Sequence, residues 1–253
     1  MIITSRENKI YKQAKLLKTS KGRRDNKKFV IEGIRAVRDA IIKDAFIEYV
    51  IIKDKTSFEL DFPCQVYTFA PKLFDDISQT VTPQGIIAVC RAEEKKLCDI
   101  KDKNCIVMCE NLQDPGNIGT IIRTAHAADC GGVILSDDCC DLYNPKIVRA
   151  TMTGIFSVPI VQNITSKEAI EYFKGQGYKI IAGALCENSE IFFDADLKGK
   201  HLIIVGNEAN GITQEVLSMC DIVVKIPMRS DAESLNAAVA ASVMIYEHYR
   251  QNF

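Results

Sequence analysis

The sequence contains no tryptophan, only 3 histidines, and no apolar run approaching the roughly 20 residues that a membrane-crossing helix requires. It has no Cys-x-x-Cys pair, and none of its 10 cysteines has a histidine at ligand spacing. Neither a metal site nor a disulfide framework is therefore expected, and the cysteines read as reduced, mostly buried small hydrophobes. The opening stretch, Met1-Ile-Ile-Thr-Ser-Arg-Glu-Asn-Lys9, lacks the apolar core of a secretory signal. These absences point to a cytoplasmic protein with no membrane partner. What is present is ordinary globular composition: 253 residues, 47% hydrophobic and 26% charged, enough for one or two domains with their own cores.

The net charge of −1 hides a strong asymmetry. Residues 1–38 hold 12 Lys/Arg against 3 Asp/Glu, whereas the rest of the chain holds 20 against 30. A polyanion such as RNA would be gripped from the N-terminal end, with Lys9, Lys12, Lys21, Arg23, Arg24, Lys27, Lys28 and Arg35 as the candidate contacts.

Periodicity predicts a helix over about 7–18 with Ser5 as its N-cap, followed by a mobile basic loop over 19–28 that has no apolar residue. A small alternating α/β unit follows, with strands at 29–31, 49–52, 66–69 and 86–89 and a helix over 71–77. The charged, weakly periodic segment 94–103 reads as a linker between a first domain, 1–93, and a second, 104–253. In the second, strands at 105–109, 132–135, 179–184, 202–205 and 222–226 alternate with helices near 118–129, 144–155, 166–175, 213–219 and 233–250. Short β-rich apolar runs alternating with helices indicate a parallel sheet covered on both faces.

Three segments of the second domain place glycines and isolated polar groups just after a strand, where open α/β sheets hold ligands. In Asn111-Leu-Gln-Asp-Pro-Gly-Asn-Ile-Gly-Thr-Ile-Ile-Arg-Thr-Ala125, a tight turn precedes a helix that carries Arg123 about two turns in. In Ile203-Ile-Val-Gly-Asn-Glu-Ala-Asn-Gly-Ile212, Gly206 and Gly211 permit close backbone approach, but the spacing is not that of a dinucleotide fingerprint. In the third, Ile226-Pro-Met228 leads through a polar loop with Ser234-Leu-Asn236 into a helix of Ala, Val, Met and Ile. Taken singly, each also reads as an ordinary turn, cap or buried helix.

In this order the three segments resemble the motifs of the SpoU (TrmH) family of RNA ribose 2′-O-methyltransferases, within the SPOUT superfamily. Asn144-Pro-Lys-Ile-Val-Arg-Ala-Thr-Met-Thr-Gly-Ile-Phe156 resembles that family's intervening helix, and residues 1–90 its L30e-like substrate-binding domain. One departure is visible, Ser230 where the family usually has glycine.

The resemblance implies an α/β fold in which a small L30e-like domain precedes a parallel-sheet domain with a deep trefoil (SPOUT) knot. It implies a homodimer, S-adenosylmethionine as cofactor, and structured RNA as substrate, with 23S ribosomal RNA favoured over tRNA. Ala184, Leu185, Gly206, Asn207, Gly211, Ile226, Met228 and Leu235 would bind the cofactor. Arg123, Asn117, Glu208, Ser234 and Asn236 would form the catalytic set, with Glu208 in position to hold Arg123 by an ion pair. A non-catalytic RNA-binding protein is the competing class, and a nucleotide-dependent oxidoreductase is disfavoured by the missing fingerprint.

Overall fold

A computed structural model describes residues 1–100, 102–229 and 234–253, so the departure at Ser230 lies outside the described residues. Two compact units are present, Met1–Glu93 with Tyr143–Phe156, and Glu94–Leu142 with Ser157–Phe253.

The first unit runs β1 (Ile2–Ile3), α1 (Lys9–Leu16), α2 (Ser20–Asn26), β2 (Lys28–Glu32), α3 (Ile34–Ile42), β3 (Ile47–Lys53), β4 (Gln65–Phe69), α4 (Pro71–Ile77) and β5 (Ile86–Arg91). Its five strands form a mixed sheet in the order β1-β4-β3-β5-β2. Tyr11, Leu17, Phe69, Phe74 and Ile87 belong to one core cluster of this unit, while Phe29, Ile31, Val37, Val50 and Ile86 belong to another. Asn8, not Ser5, caps α1, its side chain accepting from the amides of Ile10 and Tyr11.

The expected mobile loop at 19–28 is instead largely helical. Thr19 caps α2 by accepting from the Gly22 amide, and Arg23 is buried with its guanidinium donating to the carbonyls of Leu17 and Lys18 at 3.0 and 3.2 Å. Those carbonyls sit at the end of α1, where a helix runs out of partners. Polar satisfaction, which hydrophobic periodicity does not register, therefore builds this helix.

The second unit runs β6 (Cys105–Cys109), α5 (Pro115–Ala127), β7 (Gly132–Ser136), β8 (Ile160–Ile164), α8 (Ser166–Gly175), β9 (Lys179–Gly183), β10 (Glu190–Ile191), β11 (His201–Val205), α9 (Gln214–Met219), β12 (Ile222–Lys225) and α10 (Ala237–Asn252). Its seven strands pair in the order β10-β12-β9-β11-β6-β7-β8, each neighbour parallel. Every residue of β6, β7 and β11 is buried, as a sheet covered on both faces requires. The sequence reading misses β8 because Gln162 and Asn163 interrupt its apolar run, and pairing with β7 at the sheet edge makes it a strand.

Between β7 and β8 lie α6 (Pro145–Ala150) and α7 (Gly154–Ser157) in place of the single helix expected at 144–155. Met152, at φ 53°, stands between them in the left-handed region. Residues 143–156, read from sequence as part of the second domain, pack with the first unit: Tyr143 and Phe156 stack on Phe29 at centroid distances of 4.4 and 6.3 Å. Among the described residues no helix is long and apolar enough to cross a membrane, and no cluster of His, Cys, Asp or Glu is placed to hold a metal.

At the amino end of β11, His201 and His248 are buried together, His201 Nδ1 lying 3.3 Å from His248 Nε2. Burial, and then the neighbouring His201, depress the His248 pKa to about 4. The unfolded chain, titrating near 6.5, binds the proton more readily than the folded one, so stability falls as pH drops from about 6.5 to about 4. A loss of about 3 kcal/mol from His248 is expected over that range. Urea unfolding at pH 7.5 and pH 4 measures it, and His248→Gln should remove that share of the pH dependence.

Candidate active site

The carboxyl ends of β6, β9, β11 and β12 carry the loops that form the site, and the loops after β9, β11 and β12, with α10, enclose a cavity of about 670 Å³. Ala184 and Leu185 follow β9, Gly206, Asn207 and Gly211 follow β11, and Ile226, Met228 and Leu235 follow β12; all eight line this one cavity. Cys186, in the loop 184–187 that the resemblance also sets near the cofactor, shares its wall, as do Leu217, Lys225, Ala240 and Met244, which sequence reasoning missed. Ala240 and Met244 come from α10, where an apolar helix gives no local sign of facing a ligand.

The loop after β11 is a tight backbone hairpin. Asn207 and Gly211 exchange both of their amide–carbonyl hydrogen bonds, at 3.0 and 2.9 Å. The Asn207 side chain caps the turn, its Oδ1 accepting from the amides of Ala209 and Asn210. A Cβ on Gly206 would lie 2.4 Å from the carbonyl carbon of Gly211, so only glycine fits this cradle.

The expected catalytic residues divide into a connected set and two others. Asn236 donates from Nδ2 to Asn117 Oδ1 at 2.9 Å, and Asn117 donates from Nδ2 to Glu208 Oε1 at 2.8 Å. Asn117 is buried at the start of α5, while Asn236 also caps α10 by accepting from the amides of Ala238 and Val239. One relay thus ties the first turns of two helices to the loop after β11. Ser234 also lines the cavity and is exposed.

Arg123 stands apart. It is exposed on α5, and the ion pair expected with Glu208 is not formed: the Glu208 carboxylate accepts from Asn117 and, at 3.4 Å, from the Asp114 amide. The reason is helical spacing, because Asn117 and Arg123 are six residues apart and so face different ways. Arg123 lies one turn beyond Thr120 on the stripe of Gly116 and Thr120, and those two, with Asn117, Asn236, Val239, Ser242 and Tyr246, line a groove of about 600 Å³.

Three thiols at and beyond the carboxyl ends of β6 and β7 are poor nucleophiles. Burial pushes Cys109 well above its ordinary value, raises Cys139, and pushes Cys140 up to about 11. Protonated thiols do not attack, so these three do not form a covalent intermediate near neutral pH.

The model of the SpoU rRNA methylase family matches residues 104–246. This chain belongs to that family. A second match, to the MRM3-like substrate binding domain, covers residues 8–88. A Bacillus subtilis relative, the 23S rRNA (guanosine(2553)-2′-O)-methyltransferase RlmP, is 34% identical over 247 residues, covering 96% of this chain and 97% of that protein. The 23S rRNA (uridine(2479)-2′-O)-methyltransferase of Streptomyces viridochromogenes is 32% identical over 72% of this chain and 66% of that protein. An AdoMet-bound rRNA methyltransferase from Sinorhizobium meliloti superposes with a TM-score of 0.88 at 27% identity, over 99% of this chain and 97% of that one.

As a SpoU methylase the chain is an S-adenosylmethionine-dependent RNA 2′-O-methyltransferase. Its cavity suits that cofactor on its own terms: a glycine cradle for close backbone approach, apolar walls from Ile226, Met228 and Leu217, and a volume within the ordinary ligand-site range.

The expected RNA contacts are placed unequally. Lys9, Lys12, Lys21, Arg24, Lys27 and Arg35 are exposed in the first unit. Lys12 is paired with Glu7, Arg35 lies 3.9 Å from Asp39, and Lys28 is half-buried in an ion pair of 2.7 Å with Glu48. Arg23, expected to touch RNA, does not: its guanidinium is buried, holds the α1–α2 junction and is not available to a phosphate.

Proposed function

We propose that this enzyme methylates a ribose 2′-hydroxyl of 23S ribosomal RNA, in the cytoplasm, as a homodimer. The observation that carries the site assignment is the Asn236–Asn117–Glu208 relay, whose two outer members line the cavity, where an acceptor hydroxyl can be fixed beside the cofactor. The 23S target rests on relatives named for that RNA. Residues 1–93 grip the RNA, 94–103 form the linker, and 104–253 carry the chemistry, even though 143–156 pack with the first unit.

The bound cofactor supplies an electrophilic sulfonium methyl, so the protein's task is chiefly alignment. Gly206, Asn207 and Gly211 present backbone groups to it; Ile226, Met228 and Leu235 supply apolar walls. Asn117, fixed by Glu208 and Asn236, orients the ribose, and Arg123 stabilises the developing alkoxide and an adjoining phosphate. A trefoil knot is supported by the path of the chain after β12, which lines the cavity with the 184–186 and 206–211 loops before α10 packs against β11, β6 and β9.

The homodimer is supported by α10. One side buries Ala238, Ala241, Met244 and Ile245, while Val239, Tyr246 and Tyr249 remain 48%, 49% and 38% exposed. A helix apolar on two sides needs two neighbours.

Mapping ribose methylation across total RNA, with and without the protein, tests the substrate. A missing 2′-O-methyl in 23S RNA is the expected result, and a missing mark in tRNA with 23S unchanged would refute it. Neutralising Lys9, Lys21, Arg24 and Lys27 together should weaken RNA binding and lower the slope of log K against log salt by about 0.7 to 0.9 for each phosphate that is no longer neutralised. Cofactor affinity should not change, and filter binding across a salt series reads the loss of RNA affinity and the change in slope.

A further inference from the structure

The loop that cradles the cofactor is held at both ends from β6. At its far end, the buried carboxylate of Glu110 accepts from the amide of Thr213 at 3.1 Å and from its hydroxyl at 2.7 Å. At its near end, the Asn111 carbonyl accepts from Asn207 Nδ2 at 2.7 Å, the same Asn207 whose Oδ1 caps the turn at 209 and 210. Asn111 is in the left-handed region at φ 56°, which asparagine tolerates better than most residues but in which its carbonyl and side chain still need fixing. What holds it is Ser136, the last residue of β7, two strands away from β11. Its hydroxyl donates to Asn111 Oδ1 at 2.9 Å and accepts from the Asn111 amide at 2.9 Å.

We infer that Ser136 is a positioning residue for the cofactor site, acting through Asn111 and Asn207 on the 206–211 loop. Ser136 does not line the cavity, and it is buried, so its hydroxyl has no role at the surface. Its two hydrogen bonds make one clamp that orients the Asn111 carbonyl; turning that carbonyl away would release the Asn207 side chain that closes the hairpin. The inference rests on the reading of the cavity as the S-adenosylmethionine site.

The test is calorimetric binding of S-adenosylhomocysteine to the full-length protein. Ser136→Ala leaves two polar groups of Asn111 without their partner, and a rise in Kd of about tenfold, or about 1.4 kcal/mol, is expected. KM for S-adenosylmethionine should rise by more than kcat falls. In the ligand-free protein, the amides of Ala209 and Asn210 should exchange with deuterium faster. Asn111→Gly provides a second variant, since glycine keeps the left-handed backbone and the carbonyl while discarding the link to Ser136. It should weaken binding to a similar degree, and adding Ser136→Ala to it should change nothing further.

A Kd within twofold of wild type for Ser136→Ala, or additive effects of Ser136→Ala and Asn207→Ala, would overturn the inference. The cofactor-site reading fails separately: Gly206→Val obstructs the cradle directly, and normal binding by that variant would show that the cofactor lies elsewhere, whatever Ser136 does.

Discussion

A mixture of two inactive variants, Arg123→Ala and Gly206→Val, is expected to regain methyl transfer when the subunits of the proposed homodimer exchange. Arg123 is exposed on α5, one turn beyond the α5 residues that line the α5–α10 groove, and it does not pair with Glu208. If the groove is the dimer face, Arg123 reaches the cavity of the partner. A heterodimer then has one complete site, formed by the intact cradle of the Arg123→Ala subunit and the intact arginine of the Gly206→Val subunit. Random reassociation of equal amounts should restore about one quarter of wild-type activity. Arg123→Ala alone should bind S-adenosylhomocysteine normally yet lose on the order of 100- to 1,000-fold in kcat at saturating RNA, because its interaction strengthens as charge develops on the oxygen. If the mixture stays inactive while mass spectrometry detects heterodimers, Arg123 acts within its own subunit or not at all. Near-normal turnover by Arg123→Ala would return that residue to an ordinary surface position.

Gly206→Val should abolish cofactor binding, with Kd rising more than about 100-fold, because the obstruction is backbone against backbone. The added Cβ would meet the Gly211 carbonyl carbon at 2.4 Å and the Ile212 amide nitrogen at 2.5 Å. No rotamer relieves such an overlap, so the hairpin must open and lose the paired hydrogen bonds between Asn207 and Gly211. Circular dichroism should still report a folded protein, since the loop lies outside the strands. Gly175→Ala is the matched control: it lies in α8 with open space where a Cβ would stand, and it should bind cofactor as wild type does. Calorimetry on the pair decides the matter, and retained affinity in Gly206→Val would remove the 206–211 loop from the cofactor site.

The sequence by itself determined the α/β class and most elements of the second sheet, because parallel strands buried on both faces must be continuous apolar runs, as at 105–109 and 201–205. Spacing alone also marked two of the loops that line the cavity, those after β11 and β12, since glycine, proline and isolated polar groups after strands carry their backbone requirements in their chemistry. Other features became visible only in three dimensions, for a common reason: they depend on groups distant in sequence. Helix α2 has no apolar stripe and forms because Arg23 and Thr19 satisfy the junction with α1. Strand β8 needs β7 beside it to override Gln162 and Asn163. Residues 143–156 join the first unit because Phe29 offers Tyr143 and Phe156 a surface to stack on. Glu208 pairs with Asn117 instead of Arg123 because helical phase, fixed only when α5 docks, buries one beside Glu208 and leaves the other exposed. Ser136 carries no motif at all, and its place beside Asn111 follows from the register of β6 against β7, which no local pattern encodes.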